Sequence, residues 1–230
     1  MAMQLDQVVP FGRSLDEYRL MFSLSQEDMA KTIVGVADGP ASFNAEMHAL
    51  GRRVVSVDPL YAFSGRDIAR QFYAVADDII RQVKTTPEDW VWSYHRSADH
   101  LRDNRVRALT QFIADYERGR ADGRYMTGEL PQLALTHDRF DLALCSHFLF
   151  LYSDHFSYAF HRAAIAEMLR VATEVRIFPL MTLKLTPSSY VEPLVQDFTA
   201  QGYVAQIHAV SYELQRGGNT MLSIKKHPTQ

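Results

Sequence analysis

A strand–loop–helix–strand unit near the start of the chain constrains the fold more than any other feature. The apolar run 33–37 has the length and composition of a buried strand, and Asp38 begins the tight loop that follows it. Residues 44–50 show helical spacing, and a second buried strand is predicted at 53–57. A unit of this kind joins parallel strands through a right-handed crossover. The sequence therefore predicts an α/β fold with a parallel sheet.

Two long amphipathic stretches interrupt the α/β alternation. Apolar residues recur at helical spacing in 64–84 and in 97–118, so we interpret 62–122 as a helical insertion between the second and third strands. The remaining predicted elements are helices at 25–31, 156–171 and 188–200 and strands at 124–126, 140–145, 174–178, 203–214 and 220–225. Two adjacent glycines favour an antiparallel hairpin between the last two strands. We expect a doubly wound, mostly parallel seven-strand sheet in a single domain spanning 1–230.

Composition and charge argue against several classes of protein. Of the 230 residues, 47% are hydrophobic and 22% are charged, which is the balance of an ordinary globular protein. The net charge of −3 and the interleaving of basic with acidic residues argue against nucleic acid as a partner. The single cysteine, Cys145, excludes an internal disulfide framework, and neither a signal peptide nor a membrane-spanning stretch is evident. We expect a cytoplasmic protein with no membrane partner.

A sheet of this kind binds ligands beyond the carboxyl ends of its strands, where the strand order reverses. The predicted rim consists of residues 37–44, 58–61, 127–131, 146–152 and 179–183. A nicotinamide dinucleotide requires the pattern G-x-G-x-x-G near its pyrophosphate, and Ala37 and Pro40 fall where that pattern needs glycines. Asp58, at the end of the second strand, is suited to bind the hydroxyl groups of a ribose.

Four segments of the chain resemble, in order, motifs I, II, IV and V of class I S-adenosylmethionine-dependent methyltransferases. They read IVGVADGPASF, VVSVDP, FDLALCSHFLFL and LRVATEVRIFP. The resemblance extends over about residues 20–226 apart from the insertion, and it implies a Rossmann-like seven-strand fold with S-adenosylmethionine as the cofactor. The family's loop commonly reads D/E-x-G-x-G-x-G, and the corresponding residues here are Gly35, Ala37, Gly39 and Ala41. The first acid is missing, and Asp38 is the candidate to supply its charge.

The resemblance implies a set of cofactor-binding residues at the strand ends. The set comprises Ala37, Asp38, Gly39, Pro40, Asp58, Pro59, Glu129, Leu130 and Ser146. In this set Asp58 binds the ribose, and Glu129 with Leu130 lies around the adenine. Each acid also has a structural alternative. Asp38 can cap the following helix, Asp58 can close a turn before proline, and Glu129 can be a solvated loop charge.

His147 and Tyr152 are the candidate catalytic residues, because they follow the fourth strand, where the methyl group would be presented. A histidine there can act as a general base, or it can be a hydrogen-bonded wall residue. Tyr152 can orient a substrate or belong to a surface loop. Tyr61, Trp90 and Trp92 are candidate substrate contacts, with core packing as the alternative. The histidines show no metal-ligand spacing, so no metal is expected.

These residues predict an S-adenosylmethionine-dependent methyltransferase that acts on an unidentified small molecule. The insertion would cover the site, with the turn around Trp90 and Trp92 near the methyl donor. Two other functions stay open. One is a non-catalytic relative of the fold that keeps the ligand, and the other is a nicotinamide-dependent oxidoreductase, which the loop disfavours. The sequence identifies neither the methyl acceptor nor the oligomeric state.

Overall fold

The computed structural model describes residues 8–227, and within them one seven-strand sheet has helices packed on both faces. The strands are β1 (Thr32–Val36), β2 (Arg53–Val57), β3 (Tyr125–Met126), β4 (Phe140–Ser146), β5 (Ala172–Phe178), β6 (Val204–Ala209) and β7 (Thr220–Lys225). The α-helices are α1 (Leu15–Met21), α2 (Phe43–Ala49), α3 (Gly65–Thr85), α4 (Ala98–Ala121), α5 (Tyr158–Val171) and α6 (Val191–Ala200). No helix in this part of the chain is both long and apolar enough to cross a membrane.

The sheet confirms the predicted fold class. Its strand order is β3-β2-β1-β4-β5-β7-β6, and β7 runs antiparallel to both of its neighbours. All other neighbouring strands are parallel. The strand order reverses between β1 and β4, so the carboxyl ends of these two strands flank the place where such sheets bind ligands. The sheet is therefore of the Rossmann-like seven-strand kind that the sequence resemblance implies, with α3 and α4 inserted between β2 and β3.

The strand predicted at 203–214 is wrong in its second half, because β6 ends at Ala209. The N–H of Val210 still donates to Asn219, and the chain then leaves the sheet to contact the insertion. The carbonyl of Leu214 accepts a hydrogen bond from the N–H of Val91 at 2.8 Å. The hairpin is therefore formed, but its connection is longer than the glycine pair suggested, and it holds the insertion against the sheet.

The region before β1 also differs from the prediction. The helix predicted at 25–31 is a single 3₁₀ turn, Asp28–Ala30, because β1 starts almost immediately afterwards and leaves room for only one turn. Helix α1 was not predicted. It begins with a capping box in which Ser14 accepts from the N–H of Glu17 and Glu17 accepts from the N–H of Ser14.

The insertion packs through one face of each of its helices. In α3 the predicted apolar stripe is buried, with its enclosed members at Ile68, Phe72, Ile79 and Val83. In α4 the buried face includes Arg105, which is only 1% exposed. Among the apolar residues that recur at helical spacing in α4, Leu109 and Tyr116 are buried, whereas Val106 and Ile113 are only partly buried. Apolar periodicity does not identify a buried charged residue such as Arg105.

A buried ion pair joins α1 to the insertion. Glu17 Oε2 accepts a hydrogen bond from Arg105 Nη1 at 2.7 Å, and both side chains are almost completely enclosed. The hydroxyl of Tyr212 donates to Glu17 Oε1 at 3.0 Å, and His95 Nε2 lies 3.3 Å from the same oxygen. Burial opposes ionisation of Glu17, but Arg105 and His95 outweigh it and hold the pKa of this carboxyl well below its usual range.

Replacing Glu17 by alanine should lower the free energy of unfolding by about 3–5 kcal/mol, because the Arg105 guanidinium would stay buried without its partner. The control Asp77→Ala removes an exposed carboxylate 2.9 Å from Arg102 and should cost at most about 1 kcal/mol. Urea unfolding followed by circular dichroism measures both. Equal losses in the two variants would show that the buried pair is no more important for stability than a surface pair.

Candidate functional site

The loop after β1 has an unusual backbone conformation that is fixed from three sides. Ala37 and Gly39 both have a φ of +56°. The N–H of Ala37 donates to the carbonyl of Val57 at 2.9 Å, and the N–H of Gly39 donates to Asp58 Oδ2 at 2.8 Å. The carbonyl of Gly39 accepts from the hydroxyl of Tyr61 at 2.7 Å. A Cβ on Gly39 would meet no other atom within 4 Å, so the backbone here borders open space.

Asp38 explains why the family's first acid is absent. A Cβ at Gly35 would overlap the Asp38 carboxylate, so only glycine fits at that position. Asp38 accepts hydrogen bonds of 2.6 Å from the hydroxyl of Tyr18 and 2.6 Å from the hydroxyl of Ser56. Burial raises the pKa of this carboxyl to about 6, against the two hydrogen bonds. Asp38 does not cap α2, because that helix begins at Phe43 and its N-cap residue is Ser42. It places a carboxylate under the loop instead.

Asp58 lies at the end of β2 with both carboxylate oxygens hydrogen-bonded to backbone. Oδ2 accepts from Gly39, and Oδ1 accepts from the N–H of Leu60 at 2.8 Å, capping the 3₁₀ turn Pro59–Ala62. Each oxygen keeps a second lone pair for another donor. Burial raises the pKa of Asp58 to about 6, against the two backbone hydrogen bonds. Asp58 therefore closes a turn before proline, as the structural alternative expected. Its carboxylate can still accept further hydrogen bonds from a ligand.

These residues border what we call the rim groove, which lies along the carboxyl ends of β1, β2 and β4. It is lined by the loop 37–39, by residues 58–60, 128–130 and 146–148, and by the N-terminal segment 8–11. Two adjoining hollows that share part of their lining form the groove, with empty volumes of about 790 Å³ and 880 Å³ including their open mouths. Its dimensions suit a cofactor-sized molecule.

Eight of the nine predicted cofactor-binding residues line the rim groove. Pro40 does not, because its carbonyl packs against Gly12. Glu129 is solvent-exposed, whereas its neighbour Leu130 is buried. Within residues 8–227, no group of three or more His, Cys, Asp or Glu side chains is arranged to hold a metal ion.

A second space adjoins the rim groove, and we call it the inner cavity. It has an empty volume of about 620 Å³, mouth included. Its lining residues are Val9, Phe11, Arg13, Ile79, Val83, Trp90, Leu101, Arg105, His147, Leu151, Tyr152, Leu183, Leu214 and Gln215. Four of these, Val9, Phe11, Arg13 and His147, also line the groove. The two spaces therefore meet at a common wall.

His147 lies at this junction in a strained conformation. Its φ is +52°, and its N–H donates to the carbonyl of Phe178 at 2.6 Å. Strained backbone of this kind concentrates at functional sites. The ring Nδ1 lies 2.9 Å from Ser146 Oγ, and the Ser146 hydroxyl is directed to Met21 Sδ at 3.9 Å. When the Ser146 hydroxyl donates to Met21, Nδ1–H donates to Ser146 Oγ, and this tautomer has a lone pair on Nε2.

The environment keeps the His147 ring neutral. Burial first, and then the positive charges of Arg13 and Arg105, lower the pKa of this histidine well below its usual range. A neutral imidazole can accept a hydrogen bond from a ligand hydroxyl, amine or thiol. It is a weak base as it stands, and a negative charge bound near it would strengthen it.

The other sequence-predicted contacts divide between the site and the core. Tyr152 and Trp90 line the inner cavity, and the Tyr152 hydroxyl accepts from the N–H of Val9 at 3.4 Å. Trp92 packs against the core beside the sheet. Tyr61 is enclosed in an aromatic cluster within the insertion, and it contributes to the site only by supporting Gly39. Trp90 therefore brings the turn of the insertion to the inner cavity, whereas no residue of that turn lines the rim groove.

Two arginines of the inner cavity were missed by sequence reasoning. Arg13 lies in a segment with no recognisable periodicity, and nothing in the sequence identifies it. Arg105 belongs to a run of alternating charges that is typical of a solvated helix face. Its burial depends on Glu17, which is distant in sequence, so a local pattern cannot reveal it.

No model of a known protein family matches this chain. The uncharacterized protein MJ0045 of Methanocaldococcus jannaschii is 30% identical over 225 residues, covering 97% of this chain and 99% of MJ0045. This chain belongs to the family of MJ0045. Among solved structures, magnesium protoporphyrin IX methyltransferase of Synechocystis PCC 6803 with bound SAH has a TM-score of 0.48 at 13% identity, covering 93% of this chain and 82% of that one. Mitomycin 7-O-methyltransferase MmcR has a TM-score of 0.49 at 12% identity, and the match covers 93% of this chain and 54% of MmcR. Both likenesses are distant.

The backbone conformation of the loop predicts opposite effects for two reciprocal substitutions. Ala37→Gly should raise the free energy of unfolding by up to about 1 kcal/mol, because a left-handed residue with a Cβ costs roughly 1–2 kcal/mol and glycine returns part of that as chain entropy. Gly39→Ala should lower it by about 1 kcal/mol for the same reason. The control Ala49→Gly, at the exposed end of α2, should lower it by about 0.5–1 kcal/mol. Urea unfolding measures all three, and a loss for Ala37→Gly like that of the control would refute the strain.

Proposed function

We propose that this protein is an S-adenosylmethionine-dependent methyltransferase that acts on a small molecule. One observation carries the proposal: the rim groove at the strand ends opens beside an apolar cavity, and His147 lies at their junction. A methyltransferase needs this arrangement, because the methyl donor and the acceptor must meet in a fixed orientation away from water.

The residues of the rim groove suit this cofactor. Asp58 retains lone pairs for the ribose hydroxyls, and the bare backbone of Gly39 allows close approach. Asp38 and Asp58 bring two carboxylates to the loop. They favour a ligand that carries a sulfonium and an ammonium group, and they oppose a pyrophosphate. The same charges therefore disfavour a nicotinamide dinucleotide, in agreement with the poor match of the loop sequence.

S-adenosylmethionine supplies an electrophilic methyl group, which passes to a nucleophilic atom as the carbon–sulfur bond breaks. The chain contributes mainly position. The walls of the inner cavity orient the acceptor and exclude water, and effective molarities from such orientation account for several kcal/mol of a barrier, roughly 7–11 kcal/mol in the best cases. In this proposal His147, which lines the cavity, accepts through Nε2 the proton that a hydroxyl, amine or thiol acceptor loses.

A non-catalytic binding protein is the second candidate, and the low basicity of His147 favours it. Such a protein would bind the cofactor in the rim groove without transferring its methyl group. The two candidates agree on cofactor binding and differ in turnover. Transfer of labelled methyl groups to a small-molecule extract, compared between the wild-type protein and His147→Gln, separates them.

Calorimetry should show that S-adenosylmethionine binds and that a nicotinamide dinucleotide does not. Asp58→Asn should weaken cofactor binding by about 1.5–3 kcal/mol, the usual contribution of a hydrogen bond to a charged group. Asparagine keeps one acceptor for the backbone, so the loop should still fold. The control Asp103→Asn changes an exposed carboxylate outside the groove and should leave the affinity unaltered. Binding of the dinucleotide alone would contradict the proposal.

Cofactor affinity should fall as the pH drops below about 6. Asp38 and Asp58 have pKa values raised to about 6 in the ligand-free protein, and ribose donors and positive charge favour their ionised forms. Binding therefore releases protons below this pH, and the dissociation constant rises as the groups become protonated. Titrations from about pH 5 to about pH 8 measure it, and Asp58→Asn should flatten the profile. An affinity that is constant over this range would exclude the carboxylates from binding.

A further inference from the structure

We infer that the inner cavity binds the methyl acceptor, and that this acceptor is a small apolar molecule carrying a carboxylate that pairs with Arg13. The role of this ligand as methyl acceptor rests on the proposed function, whereas its chemical class follows from the lining of the cavity alone.

The body of the ligand must be apolar. Nine of the fourteen lining residues are aliphatic, Phe or Trp, and they come from the N-terminal segment, both insertion helices and the loops after β4 and β5. Trp90, Leu101 and Leu183 are each at least nine-tenths buried. Binding is favourable when such a surface exchanges its contact with water for contact with an apolar ligand.

The cavity also carries a positive charge that the described residues do not neutralise. Within residues 8–227, no carboxylate lies within salt-bridge distance of Arg13. Its Nη1 donates to the carbonyl of Phe11 at 2.7 Å, and its Nε is shielded from solvent without a hydrogen-bond partner. Burial, followed by the charge of Arg105, lowers the pKa of Arg13 to about 10, so the group is still charged at neutral pH.

Arg105 adds no further net charge to the cavity. Its charge is matched by Glu17, although its Nε is also buried without a partner. His147 is neutral. With Glu17 counted against Arg105, one positive charge is left at the cavity. Two buried guanidinium N–H groups, Arg13 Nε and Arg105 Nε, have no hydrogen-bond partner. Arg13 is partly buried, and a charge that lacks a partner in such a place is costly, so a ligand anion would offset that cost.

A carboxylate fits this single positive charge and these unpaired N–H groups better than a phosphate does. It carries a single negative charge, and its two oxygens match the donors of a guanidinium. A dianionic phosphate would leave a buried negative charge in an apolar space. The competing partner for Arg13 is the carboxylate of the cofactor itself, because Arg13 lines the rim groove as well as the cavity. The experiment must separate these two anions.

The test uses phenylbutyrate and its uncharged amide, phenylbutyramide, as matched probes, with octanoate as an aliphatic carboxylate. Trp90 lines the cavity and Trp92 does not, and the chain has two tryptophans. The variant Trp92→Phe therefore reports on the cavity through the fluorescence of Trp90 alone. Dissociation constants come from calorimetry, without nucleotide and with S-adenosylhomocysteine present. Cofactor affinity is measured separately, so a failure of the proposed function is visible independently of this inference.

The inference expects at least one acid to bind and change the Trp90 emission, and phenylbutyrate to bind about tenfold or more tightly than its amide. Arg13→Gln should abolish this preference, Arg13→Lys should retain most of it, and the control Arg19→Gln on exposed α1 surface should leave it unchanged. Cofactor affinity should not fall in Arg13→Gln, because the substitution removes a positive charge that repels the sulfonium.

Three outcomes would overturn the inference. One is equal affinity for acid and amide, and another is failure of both acids to bind. The third is an Arg13→Gln variant that loses cofactor affinity and keeps the preference for the acid, since that would assign Arg13 to the carboxylate of the cofactor. If Arg13→Gln does not fold, the acid-to-amide ratio in Arg13→Lys and in the parent protein still decides between these readings.

Discussion

The buried carboxylate of Glu17 is the interaction on which the enclosure of the site depends. It binds Arg105 from the insertion, Tyr212 from the connection between the last two strands, and His95 from the turn between α3 and α4. His95 and Arg105 both belong to the insertion, whereas Tyr212 lies 107 residues after Arg105, and both regions contribute walls to the inner cavity. A buried ion pair often adds little net stability compared with apolar packing. What this pair contributes is position, because removing either partner leaves an uncompensated charge.

The next residue of the same helix fixes the rim groove. Tyr18 donates its hydroxyl to Asp38, and Asp38 occupies the space that a side chain at Gly35 would need. Two adjacent residues of α1 therefore hold the two halves of the site, one through the insertion and the other through the loop after β1. A short helix of seven residues sets the distance between groove and cavity, and it does so through polar contacts that are shielded from water.

The contrast between what the sequence could predict and what it could not follows from the range of the interactions. Periodicity and turn residues depend on near neighbours, so the sequence predicted the sheet and the long helices. Asp58 and His147 lie directly after β2 and β4, as expected from the sequence, and their roles stay predictions. Helix α1 was missed although Ser14 and Glu17 form a capping box that was visible in the sequence. Arg105 could not be placed, because its partner lies 88 residues away and local patterns contain no such information.

The two halves of the site have opposite charge, and this has a consequence for the proposed reaction. Carboxylates at Asp38 and Asp58 border the groove, whereas the unpaired Arg13 lies at the wall shared with the cavity. The acids favour a sulfonium over the neutral thioether that remains after methyl transfer, so they hold the substrate more tightly than the product. Arg13 repels the same sulfonium until an anion neutralises it. An anionic acceptor would therefore strengthen cofactor binding, and linkage requires the cofactor to strengthen acceptor binding by the same factor.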